Sequence, residues 1–290
     1  MTTGMAYAAV VVSSVAHAYW NYLLKRSSGG QPFVTLSKCA EAALLTPVVV
    51  VAGTVSADEL LSHWELPVIG AVFVFGNYVT LSRAYGTGNL SLVYPVSRGA
   101  ILAFLPFLGF AVFGEQVSAV GAAALALIML GIAMLPLTEL TLDSVRRLVT
   151  PVNGALGYAL LAALFAALYT TWSKLAVHAL PTFAYFYAYT ALTAIALLLI
   201  VPRNGGLVLR GAWREHWWSI VRVAALNSCA YIIVLLALAD GATSYIIAIR
   251  QLSIVWSVLL GRYALRETVA IPQTLGLTLV LAGCALVTVA

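Results

Sequence analysis

The sequence predicts an all-α integral membrane protein, with ten transmembrane helices arranged as an inverted five-plus-five repeat around a central cavity. Three observations predict it. Apolar residues make up 62% of the 290 residues and charged residues only 9%, whereas a soluble domain carries roughly a quarter charged residues. Mean hydropathy is +1.00, and the apolar residues gather in runs of about 20, the length that crosses a bilayer. Finally, short segments of the first half recur in the second at a nearly fixed offset, the mark of an internal duplication.

Taken in order, the runs place spans at about 4–24, 33–53, 67–86, 91–113, 117–137, 153–175, 181–201, 217–239, 242–264 and 269–289. The N-terminus has no basic region before its apolar run, so the first run reads as a retained span rather than a cleaved signal. Ser27 to Pro32 supplies the Gly, Ser and Pro of the first turn, and Gly86-Thr87-Gly88-Asn89 makes the third. The longest links are Thr138–Val152 and Pro202–His216. Trp213, Trp217 and Trp218 stand beside Arg210, Arg214 and His216, which reads as an interfacial helix with an aromatic belt rather than a substrate contact.

The repeat is read from three matches. Gly114-Glu115 before the fifth span matches Arg266-Glu267 before the tenth, and Leu130-Gly131 matches Ala282-Gly283; both are offset by 152 (267 − 115, 283 − 131). Trp20-Asn21-Tyr22-Leu23-Leu24-Lys25 aligns with Tyr169-Thr170-Thr171-Trp172-Ser173-Lys174 at offset 149 (174 − 25). The chain therefore divides into a first repeat at 1–138, a linker at 139–152 and a second repeat at 153–290. An odd number of spans per repeat inverts the second half in the membrane. Secondary transporters are built this way, with the site near mid-membrane where the halves meet.

The charges lie on one side. Links 1–2, 3–4, 5–6, 7–8 and 9–10 hold Lys25, Arg26, Arg146, Arg147, Arg203, Arg210, Arg214, Arg262 and Arg266. The opposite links hold Asp58, Glu59, Glu65, Glu115 and Asp240, with Lys174 as the clear cation. The positive-inside rule then puts both termini outside. In a membrane protein the net charge of +5 speaks to topology and not to nucleic acid.

Two arginines sit well inside spans: Arg98 in Leu92–Gly99 and Arg250 in Tyr245–Gln251. A guanidinium stays charged and is costly at mid-membrane unless it meets water, a partner or a ligand. Both helices should therefore face a wet cavity. Tyr94 and Tyr245 accompany them, and Pro95 frees a carbonyl one turn back, which makes a kink that serves as a gate hinge or a static bend. His17, Trp20 and Asn21 share a face of the first span. That face lines the cavity, with Asn21 hydrogen-bonding cargo and Trp20 stacking on it, or merely bridges helices; His17 has the chemistry of a proton carrier.

Lys38 and Glu41, three apart in the second span, read first as an ion pair and second as a coupling site with Glu41 as the acid; pairing of Glu41 with Arg98 or Arg250 is a further alternative. Asn77 and Tyr78 in the third span match Asn227 and Tyr231 in the eighth. Tyr169 and Trp172 share a face of the sixth span, and Tyr185 leads an aromatic cluster in the seventh that is either cavity wall or belt.

Other chemistry is not written in the chain. There is no P-loop, no H-E-x-x-H motif and no pair of carboxylates on one helix face, so no enzyme, cofactor or metal site is expected. His17, His63, His178 and His216 are scattered, against the clustering a membrane metalloenzyme would need. Cys39, Cys229 and Cys284 fall in apolar spans with neither disulfide nor metal spacing.

The ten spans, the repeat of about 150 residues and the Gly-Glu or Arg-Glu pair before each last span together resemble the EamA family of the drug/metabolite transporter superfamily. His17-Ala18-Tyr19-Trp20-Asn21 and Tyr94-Pro95-Val96-Ser97-Arg98-Gly99 are similar to segments of that family. The resemblance implies a multi-pass protein of the inner (plasma) membrane, monomeric or dimeric, that exports small metabolites through a cavity built by spans 1–4 and 6–9. Amino acids are the leading cargo, since aromatic amino acid exporters belong to the group. Multidrug or organic-cation export, and transport of organic anions such as phosphonates or sugar phosphates, are the alternatives. The resemblance also implies cytoplasmic termini, against the charge pattern.

Overall fold

The computed structural model describes residues 3–27, 30–52, 57–87, 90–137, 139–141, 144, 146, 154–201, 205–264 and 268–290; the side chains at 3, 21, 24–27, 52, 57, 85, 86, 90–92, 94 and 95 lie outside that description. The elements are helices: α1 (Thr3–Ser27), α2 (Gly30–Ala52), α3 (Ala57–Ser62), α4 (Glu65–Thr87), α5 (Leu90–Phe113) and α6 (Ala119–Met134), followed by α7 (Ala155–Ala179), α8 (Thr182–Leu199), α9 (Gly205–Asp240), α10 (Thr243–Arg250), α11 (Leu252–Ala264) and α12 (Ile271–Val287). Seven stretches among the described residues are long and apolar enough to cross a membrane: α2, α4, α5, α7, α8, α9 and the α10–α11 pair. The chain is thus an all-helical, multi-pass membrane protein. α1 has the length, at 25 residues, but dilutes its apolar run with Ser13, Ser14 and His17. α6 and α12 are apolar but only 16 and 17 residues long.

Two elements differ from the sequence expectation. The span at 242–264 carries a one-residue break, with Gln251 itself still in right-handed helical backbone: α10 ends at Arg250 and α11 begins at Leu252. The junction tightens, with Gln251 N donating to Ala248 O at 3.0 Å and Ile254 N to Gln251 O at 2.9 Å. The Gln251 side chain bonds back to Ile247 O at 3.1 Å, satisfying a carbonyl near the break. The second difference is that His216 does not end a separate interfacial helix. With no breaker between His216 and Trp217, α9 runs unbroken for 36 residues, about 54 Å at 1.5 Å per residue. That exceeds an apolar bilayer core of roughly 30 Å. Its first turns carry exposed Trp213, Trp217 and Trp218.

The two halves interlock rather than sitting side by side. α1 packs on α9 and on α10–α11, while α7 packs on α4 and α5; α2 meets α8 and α9, and α6 meets α12. The last contact is close because it is made through small residues. A Cβ on Gly131 would lie 2.5 Å from Gly276 O, and one on Gly283 would lie 2.7 Å from Ala124 O. These contacts are themselves related by the offset of 152 (283 − 131, 276 − 124).

The α5–α6 turn is fixed by one carboxylate. Glu115 receives Lys174 Nζ at 2.6 Å, Thr243 Oγ1 at 2.9 Å and Thr243 N at 3.0 Å. Lys174 also donates to Gly241 O at 2.7 Å. A charged acceptor at the first turn of α10 suits the positive end of the helix dipole. The contact joins the α5–α6 turn, α7 and the α9–α10 turn.

Candidate functional site

A cavity of about 90 Å³ lies among α1, α2, α4, α5, α7, α8, α9 and α10. None of its lining residues comes from α6 or α12. A smaller void of about 10 Å³ adjoins it, reaches Ser253 on α11 and shares Arg98, Arg250, His17 and Tyr169. The larger space is small beside a ligand site, since water alone occupies about 30 Å³ per molecule in the liquid. It must widen to reach the roughly 300–1,000 Å³ of drug-sized sites.

Nine residues singled out in the sequence line it: His17, Trp20, Asn77, Tyr78, Arg98, Tyr169, Asn227, Tyr231 and Arg250. They come from both halves and from six helices. Four others are directed elsewhere. Glu41 is 1% exposed and lies behind the wall, accepting Lys38 Nζ at 2.6 Å, Asn227 Nδ2 at 2.8 Å and Ser228 Oγ at 3.3 Å. Trp172 gives its indole N–H to Leu66 O at 2.8 Å and meets Phe73 edge-on. Tyr185 is fully buried, and its hydroxyl pairs with Ser173 at 3.1 Å. Tyr245 leaves the cavity for the start of α6, where its hydroxyl accepts from Ser118 N at 3.2 Å. Asn21, Tyr94 and Pro95 have side chains outside the described set.

Sequence reasoning also left residues out of the site. Lys38 is itself part of the wall, its ammonium 5.6 Å from the Tyr78 ring centroid. Ser97 and Tyr189 line the cavity as well. The signal for Lys38 was its charge inside an apolar run; spacing alone paired it with Glu41 without saying which of the two faced inward.

Arg250 is the most constrained of the wall residues. It is 8% exposed, and its Nε has no hydrogen-bond partner among the described residues. Nη2 approaches His17 Nδ1 at 3.2 Å, and the guanidinium carbon sits 5.0 Å from the Tyr231 ring centroid. Trp20 Nε1 donates to the same His17 nitrogen at 3.0 Å. Guanidinium and indole N–H groups can only donate. Nδ1 is therefore the bare acceptor nitrogen, and the imidazole proton stands on Nε2. A proton arriving at Nδ1 would have to displace both donors. Around Arg250 the aromatic wall is continuous: Tyr231 lies 6.0 Å from Tyr169 and 5.9 Å from Phe186, centroid to centroid.

Residues 153–289 match the model of the EamA-like transporter family. No curated protein matches the sequence. A crystal structure of a protein 15% identical superposes with a TM-score of 0.74, covering 99% of this chain and 96% of that one. At that identity the likeness shows the fold alone.

Proposed function

We propose that this protein is a secondary carrier of the inner membrane that exports small amphipathic metabolites, amino acids before other classes. One observation carries the reading: Arg250, a buried guanidinium in the cavity wall with no carboxylate partner among the described residues. Such a guanidinium suits a cargo carboxylate, which it can hold through two parallel hydrogen bonds. Trp20, Tyr78, Tyr169 and Tyr231 offer ring faces to the rest of the molecule.

The inverted repeat is part of this proposal. It is supported by the way α1 packs on α9 as α7 packs on α4, and α1 on α10–α11 as α7 on α5. The organic-cation reading is weakened because Glu41, its one acid among the inner spans, is already occupied by Lys38, Asn227 and Ser228. Organic anions remain the second reading, favoured by the presence of Lys38, Arg98 and Arg250 in one wall.

The test is uptake of a substrate panel into proteoliposomes, with and without a pH gradient. Saturable amino acid transport without nucleotide supports the proposal; transport of phosphonates or sugar phosphates alone moves the second reading to the front. Reporter fusions after Arg147 and after Arg214 should both read as cytoplasmic if charge sets the orientation.

A further inference from the structure

The carboxylate end of an amino acid accounts for only half of its polar surface. Its ammonium needs acceptors, and four of the polar side chains in this cavity, Trp20, Lys38, Arg98 and Arg250, can only donate. Arginine and lysine cannot accept, and the Trp20 indole is spent on His17. Glu41, the nearest carboxylate, is behind the wall with its oxygens taken.

Beside the hydroxyls of Ser97 and the wall tyrosines, which both donate and accept, two carboxamides offer acceptors held in one orientation. Asn77 on α4 gives its Nδ2 to Ala162 O at 2.7 Å, and Asn227 on α9 gives its Nδ2 to Glu41 Oε1 at 2.8 Å. Both acceptors are oxygens that cannot donate, so neither amide can be turned around without setting oxygen against oxygen. Each residue lines the cavity, and neither Oδ1 accepts a hydrogen bond from a described residue or is buried without one. The orientation is therefore enforced from behind, by groups outside the cavity, and it presents an acceptor oxygen inward from each half of the protein.

Resting on the amino acid reading above, we propose that Asn77 and Asn227 form the ammonium subsite of the carrier. Their Oδ1 atoms accept from the cargo's ammonium while its carboxylate lies on Arg250, and this pair of neutral acceptors selects α-amino acids over the same acids without the amine. Neutral acceptors bind an ammonium without adding the negative charge that would draw in cations having no carboxylate.

The test compares uptake of L-alanine with propanoate, and of L-phenylalanine with 3-phenylpropanoate, in proteoliposomes. The wild type should prefer each amino acid by tenfold or more. Asn77→Leu and Asn227→Leu should each lower that preference by about tenfold, the scale of one hydrogen bond to a charged group, through the amino acid KM and with propanoate uptake retained. Retained propanoate uptake also reports that the variant is folded. Asn77→Ser, which keeps an oxygen, should hold part of the preference. A wild type indifferent to the amine overturns the subsite without recourse to any variant, as does a preference unchanged in both leucine variants. If the wild type carries neither amino acid but carries the carboxylates, the amino acid reading itself has failed, and the subsite with it.

Discussion

Among the described residues, two lysine–glutamate pairs sit inside the helix packing, and they are built differently. Lys38 and Glu41 lie on one helix, 2.6 Å apart and 7% and 1% exposed. Lys174 and Glu115 join a helix to a distant turn at the same 2.6 Å, with 11% and 13% exposure. In the second pair each partner is also satisfied by backbone: Glu115 by Thr243 N, Lys174 by Gly241 O. In the first, the carboxylate relies on side chains alone, Asn227 and Ser228 of α9. The pair at the turn fixes chain geometry; the pair at the cavity wall fixes the orientation of Asn227, a side chain that lines the cavity.

The sharpest way to break this comparison is to remove the lysines. Lys38→Met leaves the Glu41 carboxylate almost wholly buried with two neutral donors. Breaking a buried pair on one side costs about 3–5 kcal/mol. The expected result is the largest fall in melting temperature of any single variant here, measured in detergent, with partial recovery in the Lys38→Met/Glu41→Gln double variant. Lys174→Met should cost less, about 1–3 kcal/mol, because Glu115 keeps both donors of Thr243 and is nearer to solvent. If Lys174→Met proves the more damaging, the turn and not the wall is the more demanding charge site.

A contact without charge provides the next comparison. Gly131→Val would drive a side chain into Gly276 O, against a backbone that cannot rotate away. Overpacking of this kind costs about 1–3 kcal/mol. Since α6 and α12 contribute nothing to the cavity lining, the loss should appear in melting temperature with cargo affinity preserved in the folded fraction. A selective loss of affinity would mean that the α6–α12 crossing communicates with the cavity.

How far the sequence could be read depends on which coordinate is asked for. Depth was legible: a histidine, an arginine or an asparagine inside an apolar run has few places to go, and His17, Asn77, Arg98, Asn227 and Arg250 all reach the cavity wall. Direction around the helix was not. In a helix buried on most sides the apolar periodicity no longer marks a face. Hence Tyr185 and Tyr245, at plausible depths, turn to Ser173 and Ser118 instead. The break after Arg250 left no mark either, since Thr243–Ala264 contains neither proline nor a glycine near Gln251. The long α9 was misread for the opposite reason: a Trp- and Arg-rich composition suggested a separate surface helix, although no residue there stops the helix.

The smallest expected change in stability falls on the residue expected to matter most for transport. Arg250 has no ion pair among the described residues to lose; its contacts include the His17 nitrogen, the Tyr231 ring and the Tyr169 hydroxyl. Arg250→Lys keeps the charge and can keep one donor toward His17, so the melting temperature without cargo should shift less than in either lysine variant above. What it removes is the planar fork. Lysine presents a compact ammonium on a flexible stem, and a carboxylate that sat on two parallel N–H groups is left with one. Cargo affinity should therefore fall by about tenfold, the loss of one charge-assisted hydrogen bond, and the stabilisation that cargo gives to the wild type should shrink with it. The two readouts separate the roles cleanly. A structural arginine would lower the melting temperature with and without cargo alike. A cargo anchor would lower only the shift that cargo produces. If Arg250→Lys melts early and binds normally, the guanidinium belongs with Lys38 and Lys174 among the groups that hold the fold, and the carboxylate must be sought at Arg98.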